Sequence, residues 1–462
     1  MNAASYDDGL TRAEPASRGG IADFLGDARR LGVELHGFMA WQGSAVVAEG
    51  WWHPYGPQRP HMMHSATKSF LSAAVGLAVH ERRFALEDRV VSFFPAHLPH
   101  GIGENLALMT VEDLLTQTSG HAQGASGSVW RGIRSSWIAE FFKIPVVHAP
   151  GSFFRYTSAT SFLLSAILTR TTGMTAHDYL RPRLLEPLGI HDLAWDVGPE
   201  NINPGGNGIS CKLAGLLKLA VLHLQGGAWN GAQLLPRDWV RRATTPQRGN
   251  AHGYHWWMGP RGSFYAYGVF GQFAIAFPEQ DAVVAVNAAT PPGEETLRSL
   301  LWSHFPAALQ AGEELSTLTL LPDLPAGSSP LAQSRRFEAE PNEDGIRSLH
   351  LRFEPGRCVL EVSDARGDHA ITMGLGEWIE GDTTMSGAPL HHGYEPASMR
   401  VLARAGWRDE RTLEMQWQFV ETAFRDTVVL HFESPQEVRM ERSVNVNSGS
   451  LRRPTVRGIA PR

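Results

Sequence analysis

The sequence predicts an α/β domain, an antiparallel sheet flanked by helices with a helical subdomain, followed by a C-terminal all-β domain. Three observations lead there. Strand-like runs at 34–52 and 253–290 bracket a mostly helical stretch from 66 to about 245, and strands that meet from both ends of a segment make one sheet with an inserted helical layer. A Pro/Gly/Ser-rich break, LLPDLPAGSSP, occupies 320–330. Beyond it the segments alternate apolar and polar with period two.

The elements follow in order. Residues 1–20 read as a loose polar tail, and IADFLGDARRLG as a first helix. ELHGFMAWQGSAVVAEGWW is a hairpin turning at Gln42-Gly43-Ser44. KSFLSAAVGLAVHERR places Phe70, Leu71, Ala74, Val75 and Ala78 at helical spacing. TVEDLLTQTSG opens with a capping-box pair, Thr110 and Asp113, and stops at Gly120; TAHDYLRPRLLEPLGI opens the same way with Thr175 and Asp178. ISCKLAGLLKLAVLHLQGG is a helix ended by a glycine pair. GYHWWMGP, SFYAYGVFGQFAIAFP and AVVAVNAAT form a meander with a turn at Pro278-Glu279-Gln280-Asp281. In the C-terminal part, Leu413, Met415, Trp417 and Phe419 share one strand face, which predicts a small barrel or sandwich. Trp378, Trp407 and Trp417 suit a pocket lining or the core, and the core is the favoured assignment, since a small barrel fills its own interior. The resulting division is a tail at 1–20, a first domain at 21–311, a β domain at 312–451 and a second tail, RRPTVRGIAPR, at 452–462.

Composition excludes several classes of function. Net charge is −6 with no basic run, which argues against a nucleic-acid partner. The two cysteines, Cys211 and Cys358, form neither a disulfide framework nor a zinc site. The first residues carry no apolar signal core, and no stretch is long and apolar enough to span a membrane, so the expected location is cytoplasmic. His61 and His64, and the pair His391-His392, lack a glutamate at metalloprotease spacing and read as polar loop residues. Glu112 and Asp113 are explained by helix capping. Trp256 and Trp257 suit a cleft wall and sheet packing equally.

One short stretch carries chemistry. The chain has 41 Lys+Arg, of which lysine occupies only 68, 143, 212 and 218. Lys68 follows Ser65 by three residues, a spacing that puts amine and hydroxyl on one helix face. A serine needs a base to become a nucleophile, and a buried lysine can lose its proton where arginine cannot. Tyr156-Thr157-Ser158 stands directly before an amphipathic run, so Tyr156 can present its hydroxyl at a helix entrance. Gly268 and Gly271 interrupt a strand-like run, which marks a close backbone approach. There the Val269 N–H can serve as an oxyanion donor.

Together these segments, with LEDRVVSFFP, LLEPLGI, GYHWW and GVFGQF, resemble the serine β-lactamase and penicillin-binding-protein superfamily, in particular its class C-like esterases, amidases and D-peptidases. The resemblance spans about 35–305. It implies a β-lactamase-like fold with Ser65 as the acylated nucleophile, and Lys68 and Tyr156 sharing the base and acid roles. It implies further that Ser158 contacts the substrate, and that the N–H groups of Ser65 and Val269 form the oxyanion hole. No metal or organic cofactor is implied. The partner is a small-molecule or peptide substrate, and nothing in the sequence fixes the oligomeric state. The C-terminal segment resembles the lipocalin-like barrel found after the hydrolase domain in some relatives.

Two departures narrow the reading. The third family motif usually starts with lysine or histidine, and here it is Ala266-Tyr267-Gly268; Ser158 stands where asparagine is common. A substrate carboxylate loses its partner, unless Arg155 or Arg261 replaces the charge. The expectation is therefore an ester or amide hydrolase rather than a β-lactamase. The alternatives are a thioesterase-like acyl transferase that cyclises peptides and a catalytically silent ligand-binding relative.

Overall fold

The computed structural model describes residues 8–13, 19–125, 127–293, 295–310, 318–319 and 328–461. The chain divides into two compact units. The first holds residues 1–52, 56–288 and 294–318, and the second holds 53–55, 289–293 and 319–462. The expected boundary at 311/312 lies outside the described residues, as does most of the 320–330 break.

In the first unit, α1 (Gly19–Arg30) precedes the hairpin β1 (Glu34–Gln42) and β2 (Ala45–His53). The helical layer contains α2 (Thr67–His80), α3 (Ser158–Thr172) and α4 (Leu213–Leu224). The chain then returns as β3 (Phe264–Gly268), β4 (Gln272–Phe277) and β5 (Ala282–Ala289), followed by α5 (Thr296–His304). The sheet order is β2-β1-β5-β4-β3, so the first and last strands are neighbours, as an inserted helical layer requires. Trp257–Met258 extends the β3 edge. Both capping pairs form: Thr110 accepts from the Asp113 N–H, and Thr175 from the Asp178 N–H. The helix capped by Thr110 is shorter than expected and ends at Leu115. Of the twelve residues Thr67–Ala78 of α2, all are buried, because this helix lies between the sheet and the helical layer.

The expected N-terminal tail is not loose along its described part. The Ala13 N–H donates to Val46 O, the Val46 N–H to Thr11 O, and Arg12 pairs with Asp8 and Glu49. Residues 11–13 thus satisfy backbone groups on the outer edge of β2, with which Leu318–Thr319 also pairs.

The second unit is a barrel of β6 (Arg335–Ala339), β7 (Ser348–Glu354), β8 (Arg357–Asp364), β9 (Gly367–Leu375), β10 (Ile379–Thr383), β11 (Met399–Asp409), β12 (Thr412–Phe419), β13 (Arg425–Ser434), β14 (Glu437–Val444) and β15 (Val456–Ile459). Neighbours run β9-β8-β7-β6-β15-β14-β13-β12-β11-β10, and a parallel pairing of β9 with β11 closes nine of them into a ring. Leu413, Met415, Trp417 and Phe419 are all buried, as the alternation predicts. Trp407 is buried too, whereas Trp378 is half-buried.

The expectation of a tail at 452–462 is wrong. Val456–Ile459 is a barrel strand that pairs with β14 on one side and β6 on the other. Its pattern escaped notice because it is short and places Arg457 and Gly458 between the apolar residues. Gly458 is required there, since a Cβ would stand 2.9 Å from that of Phe337. The prediction is direct. Val456→Asp buries a carboxylate against Met440 and costs about 3 kcal/mol or more in urea unfolding; an unchanged midpoint would return this segment to the status of a tail.

Candidate active site

Ser65 lies in a single 3₁₀ turn, His64–Ala66, that feeds α2. The turn is anchored from below. His61–Met62 pairs with Ile209–Cys211, the Met63 N–H donates to Ile209 O at 2.8 Å, and the Thr67 hydroxyl accepts from the Ile209 N–H. His64 adopts φ +46°, a left-handed conformation that is costly for a non-glycine residue and recurs at functional sites. Ser65 itself is half-buried, so its hydroxyl is reachable.

Lys68 is 2% exposed. Its Nζ donates to Gly206 O at 2.8 Å and stands 3.1 Å from Ser65 Oγ and 3.2 Å from Ser158 Oγ. It also lies 4.8 Å from the centroid of the Tyr156 ring. No carboxylate is among its partners in the described residues. Burial without a counter-ion therefore lowers its pKa to about 7. The donor count agrees with an amine that exchanges a proton. A charged amine gives one N–H to each of three oxygens. A neutral amine gives two and turns its lone pair to a hydroxyl, which only Ser65 or Ser158 can offer, since a carbonyl has no proton to give.

The other groups arrive from three directions. Thr157 caps α3, and its N–H donates to Gln117 Oε1 at 2.8 Å, which fixes Tyr156 immediately before the helix. Burial raises the pKa of Tyr156 and outweighs the opposing pull of the Ser65 side chain, so the phenol keeps its proton. Gly206 brings its carbonyl in by close approach, for a Cβ there would lie 2.9 Å from that of Ser158. Gly268 does the same on the opposite side, where a Cβ would sit 2.2 Å from Met63 O. The hairpin loop that follows, Val269-Phe270-Gly271, thereby stays beside the nucleophile turn, with Phe270 and His64 rings 5.1 Å apart. Neither the Ser65 nor the Val269 N–H donates to a protein acceptor among the described residues, and no side chain caps the N-terminus of α2.

The structure thus assembles every expected site residue in one unit. Tyr267 is half-buried, its ring 4.8 Å from that of Phe273, and burial raises its pKa. The two candidate substitutes for the missing cation do not serve. Arg261 is spent on Trp302 O and Phe305 O, each at 2.7 Å, and Arg155 is exposed with its guanidinium over Phe153. The tryptophan pair divides: Trp256 is wholly buried, whereas half-buried Trp257 packs 5.3 Å from Tyr156 and 4.8 Å from His252. Sequence reasoning missed the Gly206 carbonyl, whose signal was the glycine cluster in NPGGNG. It also missed His252 and His255, buried beside Lys68 and kept neutral by desolvation, His252 at about 3 and His255 well below its usual value.

The family model for beta-lactamase matches residues 20–308. The chain belongs to the beta-lactamase family. Among curated proteins, 6-aminohexanoate-dimer hydrolase of Paenarthrobacter ureafaciens is 24% identical over 325 residues, 63% of this chain and 82% of that one. Among solved structures, the octameric penicillin-binding-protein homologue from Pyrococcus abyssi has TM-score 0.51 and 14% identity, covering 95% of this chain and 99% of its own. A penicillin-binding-protein homologue from Caulobacter crescentus has TM-score 0.50 and 18% identity, covering 62% and 97%. These likenesses support the β-lactamase-like α/β fold and, in the first structure, extend over the barrel unit.

The lysine titration has a consequence for stability. The folded pKa is depressed from 10.5 to about 7, so between these values the unfolded chain binds the extra proton and stability rises with pH. Lys68→Met lacks this rise. Wild type gains on the order of 2 kcal/mol relative to Lys68→Met between pH 7 and pH 9, read from denaturant unfolding at both values. Parallel pH profiles would mean that the amine is not desolvated.

Proposed function

We propose that this beta-lactamase family member is a serine hydrolase that cleaves a linear ester or amide through an acyl-enzyme on Ser65. The carrying observation is the neutral-capable Lys68 amine 3.1 Å from Ser65 Oγ, with no carboxylate to hold its proton.

Lys68 takes the Ser65 proton as Oγ attacks the substrate carbonyl, and the carbonyl oxygen becomes an oxyanion. The unspent N–H groups of Ser65 and Val269 and the N-terminus of α2 receive that charge. The bond to the leaving alcohol or amine then breaks. Its proton comes from Tyr156, and the Lys68 ammonium beside the Tyr156 ring gives its own proton to the resulting phenolate. Water resolves the ester by the same transfers in reverse, with Lys68 again the base. Ser158 keeps the amine aligned through its 3.2 Å contact. Assigning the resting base to Lys68 rather than Tyr156 follows from the opposite directions in which burial moves the two groups.

The substrate class follows from charge. Ala266 occupies the place of the family's cation, and Arg155 and Arg261 are directed elsewhere. An acyl group lacking a carboxylate beside the scissile bond fits this site, and Trp257 offers it an aromatic wall. A relative that is an amide-dimer hydrolase favours linear amides among the candidates.

A fluorophosphonate probe is expected to add to Ser65 and to no other serine, as intact mass and peptide mapping would show. On activated esters, kcat/KM should rise with pH through a midpoint near 7 and then plateau, because the base acts only when deprotonated. Lys68→Arg should lower kcat by about a thousandfold, and Tyr156→Phe by about a hundredfold. A folded protein inert to the probe and to a broad ester and amide panel would overturn the reading in favour of a silent ligand binder.

A further inference from the structure

The barrel unit contains a cavity of about 360 Å³, within the range that small-molecule sites occupy. Strands β12 and β14, the β8–β9 hairpin, the segment 343–346 and the connection 385–395 between β10 and β11 line it. Its walls are partly apolar, from Val362, Met385, Leu390, Trp417 and Met440. The cavity is open to solvent on one side, and Glu343 and Glu395 are exposed members of its lining.

The cavity is preformed. The 385–395 connection is fastened at several points. Arg442 Nη1 donates to Ser386 O at 2.9 Å, and Asn447 Nδ2 to Pro389 O at 2.9 Å. His391 Nε2 bonds to Asp426 Oδ1 at 2.7 Å, with both side chains fully buried.

Charge selects the occupant. Four carboxylates line the cavity (Glu343, Asp344, Asp364 and Glu395) against three guanidiniums (Arg366, Arg442 and Arg453). Arg442 is already neutralised by Asp426, which lies behind the wall, at 2.6 Å. Arg453 is matched by Asp344. Arg366 is shared between Asp364 at 2.9 Å and Glu395 at 3.1 Å, which leaves one carboxylate in excess. Glu343 has no partner among the described residues and is a second. His369 binds Asp364 and adds no acceptor to the balance.

We propose that this barrel cavity binds a small molecule that carries a protonated amine at one end of an apolar chain. The chain lies against Met385, Leu390 and Met440, and the ammonium faces Glu343 and Glu395. The same surplus of negative charge rejects a carboxylate of equal length. The cavity is lined by residues of the barrel unit alone, and binding there does not depend on the chemistry of Ser65.

Calorimetric titration of the full chain with butylamine, hexylamine and octylamine tests this, with hexan-1-ol and hexanoate as controls. One amine binds per chain, and affinity rises about fourfold for each added methylene until the cavity is full. Hexylamine binds about tenfold more tightly than hexanoate. Glu343→Gln weakens the amine about threefold. Val362→Phe and Met440→Trp, each checked for a wild-type circular dichroism spectrum, fill the cavity and abolish binding. Hexanoate binding as well as hexylamine, no saturable amine binding, or amine affinity untouched in a folded cavity-filling variant would each overturn the proposal.

Discussion

A buried amine without a counter-ion is the constraint on which the first unit turns. A lysine head group enclosed by protein loses its hydration, and the protein replaces it here with one carbonyl and two hydroxyls rather than a carboxylate. Three neutral oxygens stabilise an ammonium less than a carboxylate would, so the charged and neutral forms come close in free energy near neutral pH. A carboxylate at any of the three places would return the proton to the amine and leave Ser65 with no base. The local fold follows from keeping those oxygens, and only those, in reach.

Two glycines make that possible, and they do so sterically. Gly206 must present its carbonyl to an amine already flanked by Ser158, and a side chain at position 206 would collide with Ser158. Gly268 packs on the carbonyl of Met63, which keeps the hairpin loop at Val269 beside the nucleophile turn. The site is therefore assembled from a helix start, a second helix start, a glycine loop and a hairpin turn. Each is held through its backbone, by bonds to carbonyls and to the buried Gln117 and Thr67 side chains. Such a site loses little entropy when substrate arrives, because its donors are already in place.

This origin explains what was legible in the sequence. Ser65 and Lys68 were readable because helical spacing alone puts them together, and Tyr156 because a helix entrance has a recognisable capping residue in Thr157. Gly268 was readable as a glycine where a strand should have a side chain. Gly206 was not, because the glycine cluster in NPGGNG marks a close backbone approach without showing which carbonyl is presented or to what, and the partner is 138 residues away. The same limit applies to charge. Arg155 and Arg261 lie near the right motifs in sequence, yet their direction is set by Phe153 and by two carbonyls near the end of α5. In the barrel, the long alternating strands were evident, and four-residue β15 was not, because a strand with only two buried positions gives no period to detect.

Lys218 shows that burial alone does not make a lysine catalytic. It too is 2% exposed, and burial lowers its pKa as well. Its ammonium donates to Leu188 O at 2.7 Å and Gly189 O at 3.0 Å, and the charges of Asp8 and Asp192 pull its pKa back up. Neither of those carbonyls can give a proton to a neutral amine, so losing the proton would leave its lone pair facing oxygen lone pairs. Lys218 is thus held as a cation that ties a helix to the turn at Gly189. Lys68 differs from it by two hydroxyls and by the absence of acids. That difference separates a structural lysine from a base, and it gives a physical reason for lysine at position 68 in a chain that uses arginine almost everywhere else.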